Sequence, residues 1–392
     1  MISGWRRRLA VIACRVLQST LPGRLRPWGE AIACEVAEIA NDSRALRFAL
    51  GSLGGLIPRV LIFHIVRAGD ALTGNLSRRI SHMDILKASR RPRAIGIACA
   101  TGAVLLGLAY MAAAGAPSRY LGTNAAALMI GILMIAILAT VGAGRIWNAR
   151  HGPGLLSMAV AVALLATALL GLRADGATRW VSLGGLSIQP SLILLPVMIL
   201  AFTRSRGTLS TIAMGTAAAA LALQPDRAMA GMLTAGLAAL ALLCPGRSAF
   251  AALAAGATGF AVSLIRPDPL PATPYVDQVL YTSFDVHVLA GLAVMGGTFL
   301  LMLPAIIGVR HDPANRHLHV VFGTIWLSAI AAAALGNYPT LLVGYGGSAI
   351  LGYVLSLAML PRVMSSAAVE AQINGRKDLP PSDRRLRVGL AH

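Results

Sequence analysis

Charge is what this 392-residue sequence has least of. Asp, Glu, Lys and Arg together make up 12% of it, about half the share of an ordinary soluble domain. A water-exposed globular fold of this length is thereby excluded. Glutamate is missing altogether between Glu38 and Glu370, so carboxylate chemistry in that long stretch falls to Asp. The four cysteines, Cys14, Cys34, Cys99 and Cys244, have no CxxC spacing, which excludes the usual zinc and redox motifs. They read as small buried apolar residues or free thiols. Sustained β alternation is absent, which argues against a closed barrel. No basic stripe interleaved with aromatics occurs, so the net charge of +19 does not point to nucleic acid, and no nucleic-acid partner is expected. Met1 to Arg8 is basic, but no clean apolar stretch and small-residue cleavage site follow, so a cleaved signal peptide is not expected.

What the sequence has is apolar length: 56% of the residues are hydrophobic. Runs of membrane-spanning length recur and are rich in Ala, Leu and Gly, which predicts an all-α polytopic membrane protein. Ten spans are expected: Ile95–Ala114, Leu121–Val141, Leu155–Leu172, Ile188–Phe202, Leu209–Leu223, Ala228–Leu243, Phe250–Ile265, Val286–Val309, Leu318–Leu335 and Leu341–Leu360. Gly and other small residues inside them allow close helix packing. Residues 1–92 form a separate basic, helical, cytoplasmic or interfacial region. There, Trp28–Ile39 has helical apolar spacing, Asn41-Asp42-Ser43 breaks it and caps the next helix, and Leu56–Val66 reads as an interfacial helix. Residues 93–362 form the membrane domain, and 363–392 a basic tail expected to be disordered and cytoplasmic.

Charge tests the orientation. With residues 1–92 in the cytoplasm, five arginines fall outside: Arg119, Arg173, Arg179, Arg227 and Arg266. The other 29 of the 34 Lys and Arg stay inside, the bias expected of a cytoplasmic-membrane protein with both termini cytoplasmic. The basic loops also suit anionic membrane lipids.

One polar island stands out: Gly176 to Ser191, GATRWVSLGGLSIQPS. Arg179 and Trp180 suit a membrane interface, and Gln189-Pro190 suits the opening of a helix. With an Arg, a Trp, a Gln and several Gly, the island is not expected to be a tight hairpin. Gly176, Ala177, Arg179, Trp180, Leu183, Gly184, Gln189, Pro190 and Ser191 follow, in order, the signature of the SEDS family (shape, elongation, division and sporulation proteins), which the string resembles. Downstream, Leu223-Gln224-Pro225-Asp226 and Pro339-Thr340 with Tyr345-Gly346-Gly347-Ser348 resemble two further strings of that family. Departures are visible as well. Leu192 and Leu195 stand where the family has Glu and usually Lys, the loop Arg266–Phe284 is short, and a Glu pair is replaced near Ala293 and Val294.

The resemblance implies a ten-helix SEDS-type bundle. It further implies a peptidoglycan glycosyltransferase that polymerises lipid II at the outer face of the cytoplasmic membrane, in cell division or cell-shape maintenance. The implied partner is a class B penicillin-binding protein, and a divalent cation, Mg or Mn, is left open. The implied base is Asp285, from its family spacing to Gly296, with Asp277 as runner-up. Read from the residues alone, Asp285 at the start of an apolar run suits equally a partly desolvated base or an N-cap. Substrate contacts are expected from Arg179, Trp180, Gln189, Pro190, Ser191, Gln224, Asp226, Tyr345, Gly346, Gly347 and Ser348. Two rivals stand beside this reading: a catalytically silent scaffold of wall synthesis, and a transporter of a lipid-linked precursor. The span centres are nearly empty of charge, which disfavours ion-coupled transport.

Overall fold

The structure is a computed structural model; it describes residues 5–21, 26–52, 92–140, 152–174, 176–268 and 270–361. Leu56–Val66, Asp175 and the tail after residue 361 lie outside the described residues. The N-terminal part holds α1 (Trp5–Thr20), α2 (Arg26–Glu38) and α3 (42–52) around a small core of Ala10, Ala13, Cys14, Val36, Ala45 and Ala49. The Asn41 side chain accepts from the Ser43 and Arg44 amides, so the expected break and cap are present.

The membrane part is helical and polytopic. Its elements are α4 (Pro92–Ala113), α5 (Ser118–Thr140), α6 (Gly152–Leu170), α7 (Pro190–Arg204), α8 (Thr208–Leu223), α9 (Arg227–Leu243), α10 (Arg247–Ile265), α11 (Val279–Val286), α12 (Val288–Leu300), α13 (Leu303–His311), α14 (Arg316–Leu335) and α15 (Gly347–Leu357). Among the described residues, six segments are long and apolar enough to cross a membrane: α4, α5 up to Leu138, α6, α10, the α12–α13 pair and α14 with the short turn before it. Helices α7, α8, α9 and α15 are shorter and apolar. Together they account for the ten expected runs.

Close packing follows from the small residues. A Cβ on Gly352 would lie 1.9 Å from the Leu192 carbonyl oxygen, so α15 crosses α7 backbone against backbone. This is the contact that small residues permit between helices in lipid. The core is sealed by large buried side chains, among them Trp326, Phe322 and Tyr353. The two polar tips are satisfied: Trp326 Nε1 donates to Ser356 Oγ at 3.2 Å and Tyr353 OH to the Leu301 carbonyl at 2.7 Å.

Three expectations are corrected. The run Val286–Val309 is two helices, α12 and α13, broken at Leu301-Met302. Pro304 in the first turn of α13 has no N–H to carry the ladder back to Leu300, and Tyr353 OH donates to the Leu301 carbonyl at the break. The run Leu341–Leu360 is helical only from Gly347, because the backbone of residues 340–346 finds its partners elsewhere. The Thr340 amide donates to Val276 O and the Tyr345 amide to Tyr275 O, while Asn124 Nδ2 donates to Gly344 O and Asn124 Oδ1 accepts from the Gly346 amide. Buried backbone needs partners, and a helix is only one way to provide them.

The third correction concerns the polar island. It forms a small sheet, β1 (Leu172–Ala174), β2 (Ala177–Leu183) and β3 (Leu186–Ile188), all antiparallel. Leu183 pairs with Leu186, so β2 and β3 are joined by a two-residue turn, Gly184-Gly185, with φ of 58° and 80°. Positive φ at both positions is the requirement of the twist-matched hairpin turn, and only Gly meets it without cost. The island is thus a tight hairpin, and its two adjacent glycines are the reason.

Candidate functional site

The three short strings that stand far apart in sequence meet at one end of the bundle. Pro190 opens α7 in its first turn and Gln189 precedes it. The Gln189 amide donates to Ser348 Oγ at 3.0 Å, so the island is tied to the start of α15. Gln189 Nε2 donates to Asp226 Oδ2 at 3.0 Å and to Ser191 Oγ at 3.2 Å, and Ser191 Oγ donates to the same carboxylate oxygen at 3.3 Å. The other Asp226 oxygen accepts from the Met229 amide at 3.2 Å, capping α9. An N-cap Asp stabilises a helix by roughly 1 kcal/mol; here the same carboxylate also joins two distant segments. Gln224 Nε2 donates to the Leu164 carbonyl of α6 at 2.9 Å.

Arg179 is the centre of the arrangement and is only 3% exposed. It pairs with Asp268 Oδ2 at 2.6 Å and donates to the Pro225 carbonyl. Tyr338 OH donates to the same Asp268 oxygen at 2.8 Å, and the Tyr338 ring lies 5.9 Å from the guanidinium carbon. Burial alone would pull the guanidinium pKa down, but Asp226 and Asp268 outweigh it and the net shift is upward. Burial, with Asp268 alongside, pushes the Tyr338 phenol up, so both groups hold their protons. Breaking a buried pair of this kind costs about 3–5 kcal/mol, because it strands a charge.

The other arginines of this end are spent in the same way. Arg266 donates to the Ala222 and Leu223 carbonyls at the end of α8, and Arg227 to the Ser263, Leu264 and Arg266 carbonyls at the end of α10. Each guanidinium meets the negative pole of the opposite helix. Arg173, in β1, is exposed and has no hydrogen bond or ion pair among the described residues. Arg119 is exposed, with its guanidinium carbon 5.3 Å from the centre of the Tyr120 ring. Trp180, expected beside Arg179 in a groove, is half-buried in β2.

The Tyr345–Ser348 string is half-buried. The Tyr345 ring stacks on Tyr120 at 3.9 Å between centroids, and Tyr275 meets Tyr120 edge-on at 6.3 Å. Gly346 precedes α15 and Gly347 begins it. Asp277 is 9% exposed and its Oδ2 accepts from the Thr273 amide at 2.8 Å. Burial pushes its carboxyl up, against the hydrogen bonds from Thr273. Asp285 lies in the last turn of the eight-residue α11, exposed and without a hydrogen-bond partner among the described residues. It is not an N-cap: that place belongs to His287, whose Nδ1 accepts from the Leu289 amide at 3.1 Å at the start of α12.

Leu192 and Leu195 sit in the apolar core, so charge at either position would have no partner in this packing. Among the described residues no three His, Cys, Asp or Glu side chains gather as metal ligands. Asp226 and Asp268 instead flank the Arg179 guanidinium, which stands where a cation would have to bind. Among the described residues, these two carboxylates therefore do not fit a Mg or Mn ion. Sequence reasoning did not find Asn124, Tyr120, Tyr338 or the role of Asp268. A lone Asn inside the apolar run of α5 is itself a signal, since polar groups in a membrane span need partners; the tyrosines carry none.

No family model matches the chain, and no curated protein matches it. Solved structures are similar to it, among them three at 19% identity that each cover 67% of this chain. One is the rod shape-determining protein RodA of Thermus thermophilus, with 92% of that chain covered and a TM-score of 0.49. A point mutant of the same protein has 93% covered, also at 0.49. A chain from a structure described as a peptidoglycan synthase complex that coordinates polymerisation and crosslinking has 95% covered, at 0.48.

Proposed function

We propose that this chain is a SEDS-type membrane enzyme that polymerises a lipid-linked peptidoglycan precursor, lipid II, at the outer face of the cytoplasmic membrane. The observation that carries the reading is the meeting of the three resembling strings at one end of the bundle, joined through Gln189, Asp226 and Ser348. Independent structural motifs have no need to share one network. A substrate carried by lipid explains a site at the end of a membrane bundle.

In this reading Asp285 is the base. Its carboxylate is open to an incoming acceptor. It takes the proton of the acceptor sugar's 4-hydroxyl as that oxygen attacks the anomeric carbon of the donor, and undecaprenyl diphosphate leaves. Arg173 and Arg119 are the exposed cations available to the diphosphate. Arg179 is held by Asp268 and Pro225 and acts by fixing the small sheet that carries Arg173 and Trp180. A class B penicillin-binding protein is the expected partner, crosslinking the glycan made here.

A second reading is a catalytically silent scaffold of wall synthesis. What favours it is that Arg179, Arg227 and Arg266 are all consumed by internal partners, which leaves little free positive charge for a diphosphate. Polymerisation of labelled lipid II by the purified protein separates the two. Glycan strands from the wild type, lost in Asp285→Asn, support the enzyme. No strands from folded wild type, together with wall defects on deletion, support the scaffold. Strands retained in Asp285→Asn but lost in Asp277→Asn move the base to Asp277.

A further inference from the structure

The N-terminal unit has two unlike faces. With Ala10, Ala13, Cys14 and Leu17 turned into its core, α1 leaves Leu9 and Ile12 exposed at 44% and 52%. Arg8 and Arg15 are exposed on the same outward side and have no hydrogen bond or ion pair among the described residues. Arg7, by contrast, is used internally, donating to the Ala37 and Ile39 carbonyls at the C-terminal end of α2. The outward side of α2 carries Glu30, Cys34, Glu35 and Glu38, all exposed. One face is therefore basic and apolar, and the other is acidic, with Trp28 of the same helix exposed at 64%.

We infer that the outward face of α1 lies on the anionic surface of the lipid bilayer, with Ile12 and Leu9 in the headgroup region and Arg8 and Arg15 on lipid phosphates. A helix with apolar residues between arginines partitions to a bilayer surface, and each Arg adds attraction to anionic headgroups. The acidic face of α2 is repelled by the same surface and stays in water. The membrane helices tether the unit through residues 53–91, so a bilayer is always present at high effective concentration. Charge complementarity calls for an anionic partner, and the exposed Leu9 and Ile12 between the arginines select a lipid surface over an acidic protein. The inference does not depend on the catalytic reading above.

The test uses the full-length protein in nanodiscs. In one variant, Cys14, Cys34, Cys99 and Cys244 are replaced and a fluorophore is attached through Ile12→Cys; in the other, native Cys34 alone is kept and labelled. Each is measured in phosphatidylcholine discs and in discs with about one-third phosphatidylglycerol. Nitroxide-labelled lipid should quench the label at position 12 roughly threefold more in the anionic discs, and iodide should quench it less. The Cys34 label should stay open to iodide in both. Arg8→Glu with Arg15→Glu should release position 12 to iodide; both side chains are exposed and unpartnered, so folding is preserved, which an unchanged Cys34 signal checks. Free iodide access at position 12 in both disc types overturns the inference. So does protection from iodide without quenching by lipid, because that outcome means a protein covers the face.

Discussion

Arg179 and Asp285 are both single charged residues, one in a string that resembles a family signature and the other implied by the family's spacing to Gly296. Their surroundings differ completely. Arg179 is enclosed, paired with Asp268 and set on the Pro225 carbonyl. Asp285 stands exposed on a short helix with no partner among the described residues. A motif residue can thus serve for the geometry it imposes or for the chemistry it performs, and burial with an internal charge partner marks the first kind. The enclosed group should respond to substitution in stability, and the open one in activity.

The largest expected effect comes from emptying the enclosed region. Arg179→Ala should lower stability by about 3–5 kcal/mol, since Asp268 is left buried and unpaired. Arg179→Lys should fall in between, because an ammonium keeps the charge but lacks the planar fork that reaches Asp268 and Pro225 together. Thermal unfolding in detergent checks both. If Arg179→Ala melts with the wild type but fails in polymerisation, the contrast breaks and Arg179 belongs with the open group.

Next is Asn124, which is fully buried and serves both Gly344 and Gly346. Asn124→Leu removes one donor and one acceptor and should cost roughly 2 kcal/mol in all, the low end of the penalty for two orphaned backbone groups. The same melting measurement should rank it below Arg179→Ala. A variant as stable as wild type would mean that water or relaxation satisfies the loop, and that Asn124 is not its support.

Asp285→Asn should leave the melting temperature nearly untouched, within about 0.5 kcal/mol as for an exposed position, while abolishing lipid II polymerisation. This is the sharpest test of the comparison, because it demands lost activity with retained stability. A matching loss of stability would place Asp285 with Arg179 instead.

The smallest effect is a pH slope. The folded pKa of Asp277 is raised above the unfolded value of 3.8 by burial. A raised acid binds its proton more tightly when folded, so its contribution is full below 3.8 and is lost as pH rises through the folded pKa. Asp277→Asn, neutral at every pH, should flatten the stability profile above 3.8 and gain on the wild type towards neutral pH by what the wild type has lost there. An unchanged profile would mean that Asp277 titrates as it does in the unfolded chain.

Much of the architecture was legible in the sequence, because a span is a local property. Twenty apolar residues must be helical in lipid wherever they sit, and so eight of the ten runs correspond to single helices whose ends differ by a few residues. Local chemistry also located the Asn41 cap and the Pro190 start. It failed where two readings of one string compete. Gly184-Gly185 reads equally as a loose loop or a hairpin turn until strand partners are known. The apolar residues of Leu341–Tyr345 read as helix until Asn124, Tyr275 and Val276 take up the backbone.

For the site, residue types and order were enough to gather the three strings into one expected group. They could not say which members would be enclosed. The partners of Arg179 come from positions 225 and 268, in segments that approach the hairpin only when α8, α9 and α10 pack. Apolar length and small-residue content, both local, therefore determined a helical membrane protein by themselves. The tertiary structure alone decided which charges were consumed and which were left open, because enclosure depends on what surrounds a side chain and not on the side chain itself.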